Sequence, residues 1–238
     1  AGYGSDHHAH WVWHTKSHNC LTLSDASQLM RSPESVGHIV HAYENEHLTY
    51  FCGIADQSYQ DRATRCRRHV IYLKKPQCFA MVDEFVAREN IVSSLQWNIH
   101  SWNPFTVDED RRAFSLERED SSLTGHFLWG GNGFFSLSEG WAPPPMTDKG
   151  GGQWAMQYHL RYTPSGLTER RNLGVILCPG HKDLEKAAVQ TRREGTTEVA
   201  QIGSTELKVF GGGGADIVAE LLIEKTRFAI GDQGLVRL

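Results

Sequence analysis

The run Gly4-Ser5-Asp6-His7-His8-Ala9-His10-Trp11-Val12-Trp13-His14-Thr15-Lys16-Ser17-His18-Asn19 gathers five of the 13 histidines of this chain, interleaved with two tryptophans. Imidazoles ligate metals and move protons near neutral pH, and indole rings offer flat apolar faces with a polar edge, suited to sugar rings. Two local geometries compete. On a helix His10, His14 and His18 fall at i, i+4 and i+8 and line one face. That resembles a zinc-protease arrangement but lacks its glutamate, because Trp11 follows His10. The better reading is a loop that feeds a strand at 19–23 and leaves His18 at the strand entry, since Asp6, Ser17 and Asn19 favour turns.

The elements that must position this run are strands. Helical periodicity is nearly absent. Runs at 19–23, 37–43, 48–54, 66–74, 78–86, 92–101, 113–118, 123–129, 133–137, 154–162 and 172–178 alternate or are rich in β-branched and aromatic residues. Turn signals such as Lys75-Pro76, Asn103-Pro104 and Thr163-Pro164-Ser165-Gly166 separate them. The pattern predicts an all-β chain, an antiparallel β-sandwich of large stacked sheets. Residues 140–152 read as a surface loop. Beyond a soft boundary near 180, residues 183–193 look briefly helical, and 198–202, 206–210, 217–225 and 227–230 resume the strand pattern. The expected organisation is a β-sandwich domain at 1–180 and a small β-sheet domain at 181–238. The glycine run Gly211-Gly212-Gly213-Gly214 lacks the Lys-Ser/Thr of a phosphate loop and reads as a hairpin. On strand 66–74, Arg65, Arg67 and His69 alternate onto one face, read as a solvated or dimer-facing stripe, and Asp83 reads as a turn or buried acceptor.

The 238 residues suffice for a sizeable core, and 39% hydrophobic with 22% charged residues is ordinary for a globular chain. A net charge of −4 gives no reason to expect nucleic acid, and no apolar run nears the roughly 18 residues of a membrane span. An anionic partner would need a local basic patch. The five cysteines are odd in number, widely spaced and without a C-x-x-C pair, so they read as structural, reduced thiols. The chain opens on Ala1 rather than Met, which suits a processed secreted enzyme or a fragment.

Gly4-Ser5-Asp6-His7-His8, then Trp11, then Thr15-Lys16-Ser17-His18-Asn19, then Gln28, resembles the heparinase II/III-like polysaccharide lyases. In that family a His-His loop precedes a Thr-x-x-His-Asn strand entry at the spacing seen here from His8 to His18. Arg65 to Leu73, a Lys-Pro turn, and Phe79-Ala80-Met81-Val82-Asp83 are similar to its paired core strands, and Trp97-Asn98-Ile99-His100 to its Trp-x-x-His strand. The likeness runs from residue 3 to about 180 and is weak beyond.

The resemblance implies β-elimination at uronic acids of acidic polysaccharides. A base removes the C5 proton, a positive or hydrogen-bonding group neutralises the adjacent carboxylate, and an acid protonates the leaving oxygen; the enolate-like transition state needs preorganised donors. It implies that the Tyr and His handling protons come from an upstream α/α-toroid, so no catalytic residue is assigned within this chain. It also implies a structural Zn²⁺ whose Thr-x-x-His-Asn ligand is His18, with its His and Asp partners falling before Ala1. One protein ligand does not retain zinc, so the chain alone is expected to be inactive.

Candidate substrate-binding residues are Tyr3, His7, His8, Trp11 and Lys16. Each has an ordinary structural alternative: a packed surface tyrosine, satisfied loop imidazoles, a core tryptophan, a solvated lysine. His100 falls opposite the Leu95, Trp97 and Ile99 face, toward either a cleft or a second sheet. Expected partners are the polysaccharide, the toroid of the same protein and a second copy, in a periplasmic or secreted setting. Two other readings stay open: a non-catalytic carbohydrate-binding sandwich using Tyr3, Trp11 and Trp13, and a metal-binding module made of the histidine cluster.

Overall fold

A computed structural model describes residues 3–91, 93–129, 131–146, 154–166, 169–181, 187–211 and 216–238. Their strands, numbered β1 to β18 in chain order, form three antiparallel sheets and no barrel. A four-stranded sheet runs β1 (Leu21–Leu23), β6 (Leu95–Ser101), β11 (Tyr158–Pro164), β10 (Gly133–Glu139). An eight-stranded sheet begins with the meander β2 (His38–Glu44), β3 (Leu48–Ile54), β4 (Ala63–Lys74) and β5 (Gln77–Ala87). It continues through β12 (Arg170–His181), β9 (Ser121–Leu128), β8 (Ala113–Arg118) and β7 (Thr106–Asp108). A six-stranded meander follows: β13 (Val189–Glu194), β14 (Thr197–Ile202), β15 (Thr205–Phe210), β16 (Ile217–Ile223), β17 (Thr226–Gly231) and β18 (Gly234–Arg237).

The eight-stranded sheet is the middle layer, and side-chain alternation assigns its faces. Cys78, Ala80 and Val82 of β5, with Ile176 and Cys178 of β12, pack against Leu207, Val209, Val218 and Leu221 of the six-stranded sheet. Phe85, Leu173, Val175 and Phe127 point the other way, onto Leu95, Trp97, Leu160 and Tyr162 of the four-stranded sheet. Burial on both faces explains why Arg171 to Ile176 are buried without a break. At the meander end the sheet is less covered. β2 is its outer strand, and six of its seven residues are exposed.

The helical expectation for 183–193 fails in its described part, because Val189–Glu194 is a strand held by β14 along its whole length. Charged residues are tolerated there because β13 is an outer strand with one wet face. The Arg65–Arg67–His69 stripe is not solvated. Arg65 and Arg67 reach Asp232, in the turn between β17 and β18, and His69 is buried against the Tyr50 hydroxyl at 3.0 Å. Asp83 is a fully buried acceptor, as expected. All five cysteines are free thiols. The glycine run beyond Gly211, the end of the 140–152 loop and residues 182–186 lie outside the described residues.

Candidate functional site

The histidine-rich run crosses the polar face of the four-stranded sheet. It opens with a wide helical turn, His8–Val12, closed by the Trp13 N–H on the His8 carbonyl at 3.3 Å, and continues in a single turn, Thr15–Ser17. This departs from the expected plain loop. The helix stops at Val12, however, so His10, His14 and His18 do not share one face. His18 is extended and leads through Asn19 and Cys20 into β1, the strand entry the residues suggested. Thr15 fastens the run by donating its N–H to Ser27 Oγ (3.1 Å) and accepting the Gln28 N–H (2.8 Å).

The imidazoles take separate partners. His7 is buried and donates Nδ1–H to the Pro143 carbonyl at 2.7 Å, against the edge of Trp141. His8 lies between the Tyr3 ring, 4.4 Å away, and the Trp13 indole, whose N–H donates to it at 2.9 Å. His14 meets Ser27 Oγ at 3.0 Å; burial, then Lys16 and His10, lower its pKa. His18 is exposed and donates Nε2–H to the Val12 carbonyl at 3.0 Å, which leaves the Nδ1 lone pair as its acceptor. Trp11 is buried edge-on to His100, with Lys16 Nζ 5.7 Å over its ring, and Tyr3 is 91% exposed.

Beneath the run, β6 and β11 supply a polar floor. His100 and His159 are direct register partners and stack at 4.3 Å. His100 donates Nε2–H to the Lys16 carbonyl (2.9 Å), and its backbone N–H donates to Asn19 Oδ1 (2.9 Å). His159 donates to Asn98 Oδ1 (2.9 Å), which also accepts from Arg161, itself paired with Asp25 at 2.6 Å. Burial lowers the His100 pKa, and burial followed by His100, Arg161 and Lys16 pushes His159 down to about 3. Both rings are therefore neutral near pH 7 and serve as fixed hydrogen-bonding groups.

The Asn19 carbonyl is also held from the middle layer. It accepts from Arg68 (3.1 Å), which is clamped bidentately by buried Asp83 at 2.6 and 3.0 Å. Next to His18 an open hollow of about 480 Å³ is lined by Trp13, His18, Gln28, Met30 and Arg31, with the Arg31 guanidinium 4.8 Å over the Trp13 ring.

The structure thus brings His7, His8, Trp11, Lys16 and His18 into one surface run, with Tyr3 at its rim. Sequence reasoning missed Asn98, His159, Arg161 and Arg31. Only the period-2 alternation of β6 pointed toward the floor, by setting His100 apart from Trp97. Among the described residues no group of three His, Cys, Asp or Glu side chains converges on a point that could hold a metal ion. His18 alone does not make a zinc site, nor do these residues gather the histidines into a metal module.

The model of the family described as heparinase II/III-like, C-terminal, matches residues 1–163. The chain belongs to this family. Solved structures agree on the fold. Heparinase III aligns with a TM-score of 0.63 at 12% identity, over 88% of this chain and 32% of its own. The heparinase III BT4657 gene product gives 0.63 at 14% identity, over 88% and 32%. Heparan sulfate lyase HepC from Pedobacter heparinus gives 0.61 at 12% identity, over 84% and 31%. The chain therefore spans about a third of the length of these heparinase structures, and at such identities they establish architecture alone. No curated protein matches it. The family match ends inside β11, so β12 and the six-stranded sheet lie beyond it. Among the described residues no helix is long and apolar enough to cross a membrane.

Proposed function

We propose that this chain is the β-sheet part of a polysaccharide lyase that cleaves uronate-containing acidic polysaccharide by β-elimination, completed by an upstream toroid. The observation that carries the reading is the family match over the run that the fold lays across the His100–His159 floor. Elimination needs the uronate carboxylate neutralised before its C5 proton can leave, and it needs donors already in place. Arg31 supplies positive charge at the His18 hollow and Lys16 supplies it over Trp11, and Tyr3 with His8 forms a tilted aromatic pair against which a sugar ring could rest. His7 and Trp11, both buried, anchor the turn through the Pro143 carbonyl and against His100. The residues that take and return protons come from the toroid in this reading, and the setting is periplasmic or secreted, with a second copy as a further partner.

Zn²⁺ belongs to the same proposal. His18 offers it one nitrogen, Nδ1, and the other ligands would come from outside these residues. Metal analysis of the longer protein, with and without His18→Ala, tests this independently of turnover. A pure binding sandwich is less well supported, because Trp11 is buried and Arg31 lies over one face of Trp13.

The decisive experiment follows unsaturated-uronate absorbance with a panel of acidic polysaccharides, using this chain alone and the chain extended by its upstream coding sequence. Product from the longer protein only, lost on His18→Ala, is expected. No product from either, with glycan retained by this chain, would leave a binding sandwich in place of a lyase.

A further inference from the structure

The middle layer carries two thiols that the site does not use. Cys78 opens the inward-facing part of β5, and Cys178 lies near the end of β12. The register of these strands runs through Ile176↔Ala80 and Leu177↔Phe79, so the next pair along the ladder is Cys178 opposite Cys78. The two sulfurs are 2.8 Å apart and the residues 4% and 0% exposed, packed where the eight-stranded sheet meets the six-stranded one. Carbon atoms in van der Waals contact settle at roughly 3.5–4.0 Å and sulfur is larger than carbon, whereas an S–S bond needs about 2.0 Å. Directly opposed residues of an antiparallel pair have Cα atoms about 4.5–5.5 Å apart, inside the roughly 4.4–6.8 Å that a disulfide spans. Bond formation therefore asks for a small side-chain rotation and no movement of the backbone.

We propose that Cys78 and Cys178 are a cross-strand redox pair, oxidised to an intrachain disulfide when the chain folds in a disulfide-donating environment, while Cys20, Cys52 and Cys66 remain thiols. The oxidant is an exogenous disulfide, such as oxidised glutathione or a thiol–disulfide oxidoreductase. One thiolate attacks it to give a mixed disulfide and release a thiol; the second thiolate displaces the remaining carrier thiol. Two protons and two electrons leave the pair, and the carrier ends as two thiols. Both sulfurs are sealed in the folded molecule, so the exchange takes place before the six-stranded sheet closes over β5 and β12. The bond joins positions 100 residues apart and encloses β6 and β11, the strands that floor the candidate site. The inference does not depend on the lyase reading.

The test takes the full chain from an oxidising cellular compartment and, in parallel, refolds it in a reduced–oxidised glutathione buffer. Each sample is denatured without reductant and alkylated. Three alkylated cysteines, with a peptide pair joining Cys78 to Cys178, are expected, and four alkylated cysteines in Cys178→Ser. Reductant added to the native protein should leave the bond closed until the chain unfolds. Five alkylated cysteines in both preparations, or a link between any other pair, would overturn the proposal.

Discussion

Glu84 and His159 are both buried titratable groups, and they make the protein acid-sensitive in different pH windows. Glu84 is fully buried, which raises its pKa, but His69, Arg65 (2.7 Å) and Arg170 (2.9 Å) outweigh burial and bring it down to about 2. Its contribution to stability is full above the unfolded pKa near 4.5 and is lost as pH falls toward 2. Glu84→Gln removes the charge that pairs with the partly buried Arg65 and Arg170 and should cost about 2 kcal/mol, read as a lower urea midpoint at neutral pH. His159 acts earlier. Its ring is neutral when folded and protonates near 6.5 when unfolded, so stability is full above that value and falls as pH drops toward about 3. His159→Gln does not titrate there, and its urea midpoint should change less than the parent's between about pH 7 and pH 5. An equal dependence in both chains would mean that His159 is charged in the folded state.

At the scale of elements, close sheet packing is the controlling fact. Gly174 of β12 sits where an added Cβ would lie 2.8 Å from Val209 Cγ2 and 2.9 Å from Leu128 Cβ. Gly174→Ala therefore forces the six-stranded sheet away from the middle layer and should lose about 1–3 kcal/mol in equilibrium unfolding. Much of this architecture was legible in the residues. Leu48–Ile54 and Ala113–Arg118 were readable to the residue because polar turn residues bracket each run, and Leu48–Cys52 alternates in burial. Thr106–Asp108 and Gly234–Arg237 were not, since three or four residues are too few to display a period. The 217–225 run overshot because Glu224 and Lys225, both at positive φ, turn the chain after Ile223. The candidate site was half legible. The histidine run is a local signal, whereas the Asn98–His159–Arg161 floor depends on which residues of β6 and β11 the ladder sets side by side. Arg68 shows the same limit: its partners Asp83 and Asn19 lie 15 and 49 positions away.

For the whole molecule, the order of layers separates support from chemistry. The six-stranded sheet closes one core, the four-stranded sheet closes the other, and the histidine run rests on the outer face of the second. Among the described residues the sheet margin at β2 is left without a pairing strand, and it governs how the protein behaves in bulk. The outer strand β2 presents Ile39 at 70%, Val40 at 43% and Tyr43 at 39% exposure, with Glu44 as its one carboxylate. A bare apolar strand edge can template pairing with a second chain. In concentrated solution the molecule should therefore attract its own kind, with light scattering rising faster than protein concentration. Ile39→Lys should abolish that upturn and leave the urea midpoint in place, since the side chain it replaces already faces water.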